Sequence, residues 1–440
     1  MGMTDTAHRS ETATDDVTAT VKAWLEANWD PDITVGEWWE KLGTAGWSAP
    51  TWPKEWYGHG MSREEGNRVA RTIREFGALG APGGLGLLLA GPTIAVHGTD
   101  EQKAAYLRDI VTGQKAWCQL FSEPGAGSDL AGLQAKAVRD GDEWIVNGQK
   151  VWTSGGHYAD LGMLLARTDP DVPKHQGISY FAFDMHQPGV EVRPLKEMTG
   201  RALFNEVFMT DARVHDDACI AGQGNGWKVA NTTLAFERAG LGAGGGEAAG
   251  GSAQPGTVAG DLDKRVGDFV SNRRGGGGGG GAAGLLGGAS QLLVEMAKQS
   301  GQINDPTVRQ ALMKLHTRNE IARFVNLHLK AGADIPGVGN IAKLTMSQIL
   351  RETRDLGLRI LGPMGTLHAY NAEDRKVLDK ATGNPLLGMI TEMALFSPGP
   401  SIYGGTDEVQ HNIIGERVLG LPKEPNNDRV MSFKDLPKNT

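Results

Sequence analysis

Cysteine is almost absent from this chain: Cys118 and Cys219 are the two thiols in 440 residues. Two thiols cannot build a multi-bridge disulfide framework, so a reducing compartment is expected. Long apolar runs are missing as well. The most apolar stretch, Leu85 to Val96, is interrupted by Gly86, Gly91 and Pro92 and is shorter than the roughly 20 residues that span a bilayer. Met1 to Asp16 is polar and contains acids, without the apolar core of a signal peptide. These absences point to a cytoplasmic protein with no membrane span. Positive charge is not in excess either, with 44 Lys+Arg against 52 Asp+Glu, a net charge of −8. That balance argues against nucleic acid or an acidic membrane surface as the main partner. No repeat architecture is visible and no metal site is expected.

What is present falls into three zones. Residues 17–117 read as helices, with capping-box spacing at Ser62/Glu65 and Thr99/Gln102 and a stop at Gly113. Seven of the eleven tryptophans lie between Trp24 and Trp56, and aromatics at helical spacing read as core or interface rather than a cofactor box. Residues 118–222 read as short strands. Gln134–Arg139 and Glu143–Val146 flank the hairpin signal Asp140-Gly141; Leu161–Arg167, Gly177–Asp184, Val190–Leu195 and Leu203–Met209 follow. From 223 to 424 helices return. Asp305-Pro306 is a cap with proline at the first helical position. Val308, Leu312, Leu315, Ala322 and Leu329 form one apolar stripe, and Ile341, Leu344, Ile349, Leu356 and Ile360 another. Within this zone, residues 239–288 form a low-complexity insert with twenty glycines, seven of them consecutive at Gly275–Gly281. Glycine disfavours helix, so that run reads as a mobile loop. Residues 1–16 and 425–440 read as tails.

Two short stretches carry the chemistry. Phe121-Ser122-Glu123-Pro124-Gly125-Ala126-Gly127-Ser128-Asp129 combines glycines, which let backbone N–H groups approach an anion, with hydroxyl donors. About thirty residues on comes Gly148-Gln149-Lys150-Val151-Trp152-Thr153-Ser154. Together they resemble the acyl-CoA dehydrogenase family, flavoenzymes that desaturate acyl-CoA thioesters in lipid metabolism and fatty acid β-oxidation. The likeness departs from the usual signature at Leu120 and Phe121, where a small and then an aliphatic residue are commoner. The resemblance implies a multi-domain α and β fold: an N-terminal helical domain, a middle antiparallel β-domain and a C-terminal helical bundle. It covers nearly the whole chain apart from the tails.

Desaturating a thioester needs a carboxylate for the α-proton, an acceptor for the β-hydride and donors for the enolate oxygen. Side chains supply no hydride acceptor, so a cofactor is required. The resemblance implies non-covalent FAD, with Phe121 and Ser122 at the flavin, Trp152 against its ring and Ser154 near N5. Gly127 lies in the cofactor loop, and Ser128 is assigned to the FAD diphosphate or the CoA arm. Thr406 and Glu408 occupy positions that touch FAD in relatives.

Many relatives place the catalytic glutamate after the tyrosine of a Tyr-Glu-Gly-Thr motif. Here that run is Tyr403-Gly404-Gly405-Thr406, and Gly404 cannot accept a proton. A second branch, including isovaleryl-type and long-chain-type enzymes, carries its glutamate immediately before an arginine on a helix of the last domain. This chain reads Leu234-Ala235-Phe236-Glu237-Arg238 there, and apolar neighbours suit a carboxyl with raised pKa. The expectation is Glu237 as base, Arg238 orienting the helix and the CoA arm, and the Gly404 N–H donating to the thioester oxygen beside a flavin ribose hydroxyl.

The expected partners are an acyl-CoA substrate and an electron-transferring flavoprotein. An oxidase using oxygen and a non-catalytic subunit of a heteromer are the alternatives. The Gly/Ala-rich segment after Arg238 suits either a widened pocket for branched or ring-bearing acyl groups or a partly unwound helix. Relatives that form homotetramers hold the FAD diphosphate across an interface with an Arg-x-Phe-Gly motif and a Gly-rich loop. This chain has Arg273-Arg274 and Leu361-Gly362-Pro363-Met364-Gly365 instead, and Pro363 removes an N–H donor. Two assemblies remain open: a homo-oligomer (dimer or tetramer) that uses Arg273, Arg274 or Arg359, or a heterotetramer with a paralogous subunit.

Overall fold

The structure, a computed structural model, describes residues 5–242, 253–271 and 282–437. Five helices open the chain: α1 (Asp5–Asn28), α2 (Val35–Thr44), α3 (Arg63–Phe76), α4 (Gly91–His97) and α5 (Asp100–Val111). Capping boxes start α2 at Thr34/Glu37, α3 at Ser62/Glu65 and α5 at Thr99/Gln102. Each box satisfies two N–H groups that a helix start leaves without partners. Helix α1 begins at Asp5, so most of the expected tail 1–16 is helical instead. No glycine or proline interrupts residues 5–16, so nothing stops the helix from running on.

The tryptophans are core, as expected. Trp38 and Trp39 are fully buried and donate their indole N–H groups to the carbonyls of Leu79 (2.8 Å) and Gly80 (2.9 Å). Trp29 meets Trp38 edge-on at 4.7 Å. Part of the glycine-rich insert joins this core. Val35 and Gly36 donate backbone N–H bonds to Lys264 and Leu262, both at 2.8 Å, and Ala253 and Val266 are buried. Residues 253–271 are thus a docked segment, not part of one uniform insert. The apolar Leu262, Val266 and Phe269 provide the burial that surrounding glycines cannot. Gly275–Gly281, Arg273 and Arg274 lie outside the described residues.

The middle domain is one eight-stranded sheet: β1 (Trp117–Leu120), β2 (Lys136–Asp140), β3 (Glu143–Ser154), β4 (Leu161–Arg167), β5 (Ile178–Asp184), β6 (Val190–Leu195), β7 (Phe204–His215) and β8 (Cys219–Ile220). Asp140-Gly141 makes the expected hairpin, with Gly141 at φ +68°. The pairings are antiparallel except that β1 and β2 run parallel to β4. The chain leaves β1 through the glycine-rich loop rather than a tight turn, so β1 is free to lie parallel to a later strand.

The last domain begins with α6 (Gly226–Gly242); α7 (Asp268–Ser271) belongs to the docked segment, and α8 (Ala282–Gln299), α9 (Pro306–Lys330), α10 (Val338–Leu361), α11 (Ala372–Thr382), α12 (Leu387–Phe396) and α13 (Asp407–Ile413) complete the domain. Val308, Leu312, Leu315, Ile349, Leu356 and Ile360 meet in its core. The stripes diverge from expectation at their ends. Ala322 and Leu329 are only half-buried and Ile341 is exposed, whereas Lys343 and Ser347 are buried. Lys343 reaches Asp407 at 2.9 Å, and that pairing turns the polar face of α10 inward. Residues 428–436, expected as tail, pack on the sheet domain, with Phe433 buried. Among the described residues no helix is long and apolar enough to cross a membrane, and no cluster of metal-ligating side chains occurs.

Candidate active site

Lys150 ties the two sequence stretches together. Fully buried on β3, it donates to the Phe121 carbonyl (3.0 Å) and to Glu123 Oε1 (2.8 Å). Glu123 also accepts the N–H groups of Gln134 (2.7 Å) and Ala135 (2.9 Å). Burial holds the Lys150 ammonium below its usual pKa, and the Glu123 charge works the other way. The Val151 N–H donates to the Ser122 carbonyl at 2.9 Å. Ser122 is therefore fixed beside the residue preceding Trp152.

Trp152 sits at an irregularity of the β3–β7 ladder, where register shifts between Lys150 and Thr153. Its φ of +60° is a conformation that costs a non-glycine residue about 1–3 kcal/mol. The residue is 61% exposed and its ring meets Phe204 edge-on at 5.9 Å. A strained backbone presenting a large exposed ring suits a flat ligand. Ser154 is exposed two residues on. Beneath them, Thr153 Oγ1 and Asn205 Oδ1 are buried without hydrogen-bond partners among the described residues.

Other predicted residues fall into different settings. Phe121 has its ring in the core, 4% exposed and edge-on to Tyr180. Anything it offers a ligand comes from its main chain, because the ring continues the inward-facing side of β1. Gly127 and Ser128 are exposed, and a Cβ added at Gly127 would meet nothing within 4 Å, leaving room for a ligand. Thr406 caps α13 by accepting the Val409 N–H at 3.1 Å, and Glu408 is exposed.

Glu237 lies on α6, which remains helical through Gly242, so the helix is not unwound beside it. Gln119 Nε2 approaches Glu237 Oε2 at 3.5 Å, which brings the carboxyl to the end of β1, two residues before Phe121. Burial raises the Glu237 pKa, against weaker opposing pulls from Gln119 and Arg238. The Tyr403 hydroxyl is pushed up to about 12, chiefly by burial and then by the Glu237 charge. The expected base and the run containing Gly404 thus share one neighbourhood. Burial lowers the Arg238 pKa; the Glu237 charge opposes this and Arg417 adds to it.

Gly404 and Gly405 have φ of +64° and +79°, a turn that side chains other than glycine enter with strain. Gln410 fixes it by donating to the carbonyls of Gly404 (2.8 Å) and Gly405 (3.4 Å), and Asn340 holds Gln410 at 2.6 Å. Asp407, which belongs to none of the sequence motifs, accepts from Lys343 and from Arg351 (2.7 Å). Burial alone would raise its pKa, but these bonds bring it down to about 2. A lysine inside an apolar helical stripe was the available signal.

The cradle fits a flavin: an exposed indole, hydroxyls at Ser122 and Ser154, open space at Gly127 and a carboxyl alongside. The sequence matches the acyl-CoA dehydrogenase N-terminal domain over residues 6–114, the middle domain over 118–212 and the C-terminal domain over 276–419. It is 34% identical over 392 residues to the acyl-CoA dehydrogenase IpdE1 of Mycobacterium tuberculosis, covering 88% of each chain. It is 47% identical over 382 residues to the acyl-CoA dehydrogenase FadE34 of the same organism, covering 87% of this chain and 46% of FadE34. The solved ChsE4–ChsE5 complex of M. tuberculosis superimposes with a TM-score of 0.66 at 26% identity, covering 94% of this chain and 98% of the matched one. The chain belongs to the acyl-CoA dehydrogenase family, an enzyme whose cofactor is FAD.

Proposed function

We propose that the enzyme desaturates an acyl-CoA thioester between its α and β carbons, with Glu237 as the base that takes the α-proton. The observation that carries this reading is the partly buried carboxyl beside Gln119 and Tyr403, next to a Gly404 that has no side chain. Raised proton affinity suits a base that must accept a weakly acidic proton. Tyr403 lies near the carboxyl, Gln410 pins the turn that follows it, and the Gly404 N–H is assigned to the thioester oxygen. Arg238 orients α6 and the CoA arm. Ser122, Ser128, Trp152, Ser154, Thr406 and Glu408 hold FAD, with Phe121 and Gly127 contributing backbone. Bound FAD supplies the hydride acceptor that no side chain provides.

Glu237→Gln is expected to retain FAD and lose at least about a hundredfold in the rate of flavin bleaching by acyl-CoA, the low end of general-base effects. Rapid-mixing absorbance measures this, and near-normal bleaching would sink the assignment. Electrons are assigned to an electron-transferring flavoprotein; stoichiometric peroxide in air would instead identify an oxidase. The active assembly is proposed to be a heteromer with a paralogous chain that completes the diphosphate site. Three observations support it: Pro363 stands in an exposed turn, Arg359 is engaged by Asp305 and Thr307, and the similar ChsE4–ChsE5 assembly is a complex.

A further inference from the structure

The C-terminal segment and the glycine-rich loop share two buried cations. Lys174, 7% exposed, reaches Asp129 of the loop at 2.9 and 3.0 Å and Asp428 of the C-terminal segment at 2.6 Å. Arg167, 4% exposed, donates to the carbonyls of Ala131 (2.7 Å) and Leu133 (3.2 Å), where the loop ends. Its other face is covered by the Phe433 ring, whose centroid is 3.5 Å away. The segment is further held by backbone bonds from Phe433 to Val172 (2.9 Å) and from Lys434 to Pro170 (3.0 Å), and by Lys434 on Asp171 at 2.7 Å.

We propose that residues 428–436 form a brace that holds the Phe121–Gly132 loop in its cofactor-binding shape through Lys174 and Arg167. Phe121, Ala126 and Leu130 are buried, but Gly125, Gly127 and Gly132 leave the backbone between and beyond them wide freedom. If the segment lifted, Lys174 would keep only Asp129, and Arg167 would keep its carbonyl partners but lose the ring that covers it; buried charges tolerate such losses poorly. Burial works to lower the Lys174 pKa, but Asp428 and Asp129 prevail and hold it above the usual lysine value. A cation facing an aromatic ring away from water is attracted more strongly than one at the surface. The brace thus couples cofactor retention to a stretch remote in sequence from both motifs. The inference rests on the loop being an FAD-binding element and is independent of Glu237 as base.

The test uses holoenzyme and reads FAD release after dilution by the rise in flavin fluorescence. Phe433→Ala and Asp428→Asn should each release FAD about tenfold faster or more, with Phe433→Tyr close to the parent. The thermal transition of the apo-protein, followed by far-ultraviolet circular dichroism, should fall less than that of the holoenzyme, because loosened FAD adds to the cost of exposing the cations. Unchanged FAD release in both variants would overturn the brace, and so would an equal fall in apo-protein stability. A chain ending at Glu424 should behave like the point variants; if it does not fold, they decide alone. Ser122→Ala separates the two ideas. If it loosens FAD while the brace variants do not, the brace alone fails; if none loosens FAD, the role of the loop fails and the brace with it.

Discussion

Glu237 combines a carboxyl with a setting that resists its charge, and the consequences can be measured separately. Because burial raises its pKa, flavin bleaching should increase with pH through an apparent pKa above the ordinary glutamate range. The Gln119 amide donates to the ionised form, so Gln119→Leu should move that profile to higher pH; an unmoved profile would argue against the contact. The stability sign is opposite. A raised folded pKa means the folded state binds more protons than the unfolded one between the two pKa values, so stability falls as pH rises through that window. Above it the full cost is in place, and Glu237→Gln should raise the holoenzyme melting temperature at neutral pH while abolishing turnover. Gly404 poses a different constraint. At φ +64° an L side chain costs about 1–2 kcal/mol, so Gly404→Ala should lower stability by about that much in denaturant unfolding. Glu237→Gly combined with Gly404→Glu should recover some flavin bleaching if both positions address the same carbon, at that cost in stability.

Strands β1 and β3 act as one unit through Lys150, and that unit presents both Ser122 and Trp152. Lys150→Met would leave Glu123 buried with two backbone donors and no cation, a loss of about 3–5 kcal/mol for a broken buried pair. The expected outcome is a lowered thermal midpoint together with a shifted flavin absorbance band, because the Ser122 carbonyl and the Trp152 bulge are set by the same anchor. A parent-like spectrum in folded variant protein would count against that coupling. The elements themselves were legible where local chemistry decides. Capping boxes at Ser62 and Thr99, the turn at Asp140-Gly141 and strands β4 and β6 stand where the sequence places them. Tertiary pairings were not legible. The parallel alignment of β1 with β4 depends on where the chain returns, and the burial of Lys343 depends on Asp407 sixty-four residues away. The docking of residues 253–271 was hidden by glycine-rich composition, and the helical residues of α1 before Val17 by their polarity. The proposed site residues Glu237 and Trp152 come from short motifs, whereas the contacts of Gln119, Gln410 and Asp407 are ones that spacing does not encode.

At the scale of the whole molecule, two surfaces ask for a partner. The turn Gly362–Thr366 that ends α10 is largely exposed, and Arg359 is committed to Asp305 and Thr307 within its own chain. Helix α9 exposes Met313, Ile321, Phe324 and Leu327, each at least 45% accessible. Apolar side chains spaced along one helix are better covered by a neighbouring chain than left to water. Their exposure also means that polar replacements cost the isolated chain little. Ile321→Asp with Phe324→Asp should therefore lower native mass, measured by light scattering, while leaving the far-ultraviolet circular dichroism unchanged. Cofactor content distinguishes the two assemblies. A heteromer predicts that the chain expressed alone carries well below one FAD per chain, and that co-expression with a paralogous subunit restores both FAD and bleaching. A stable homo-oligomer with one FAD per chain and full activity would rule the heteromer out. The diphosphate would then have to be held by this chain's own residues, and alanine substitution of Arg273, Arg274 and Arg359 would show which of them hold it.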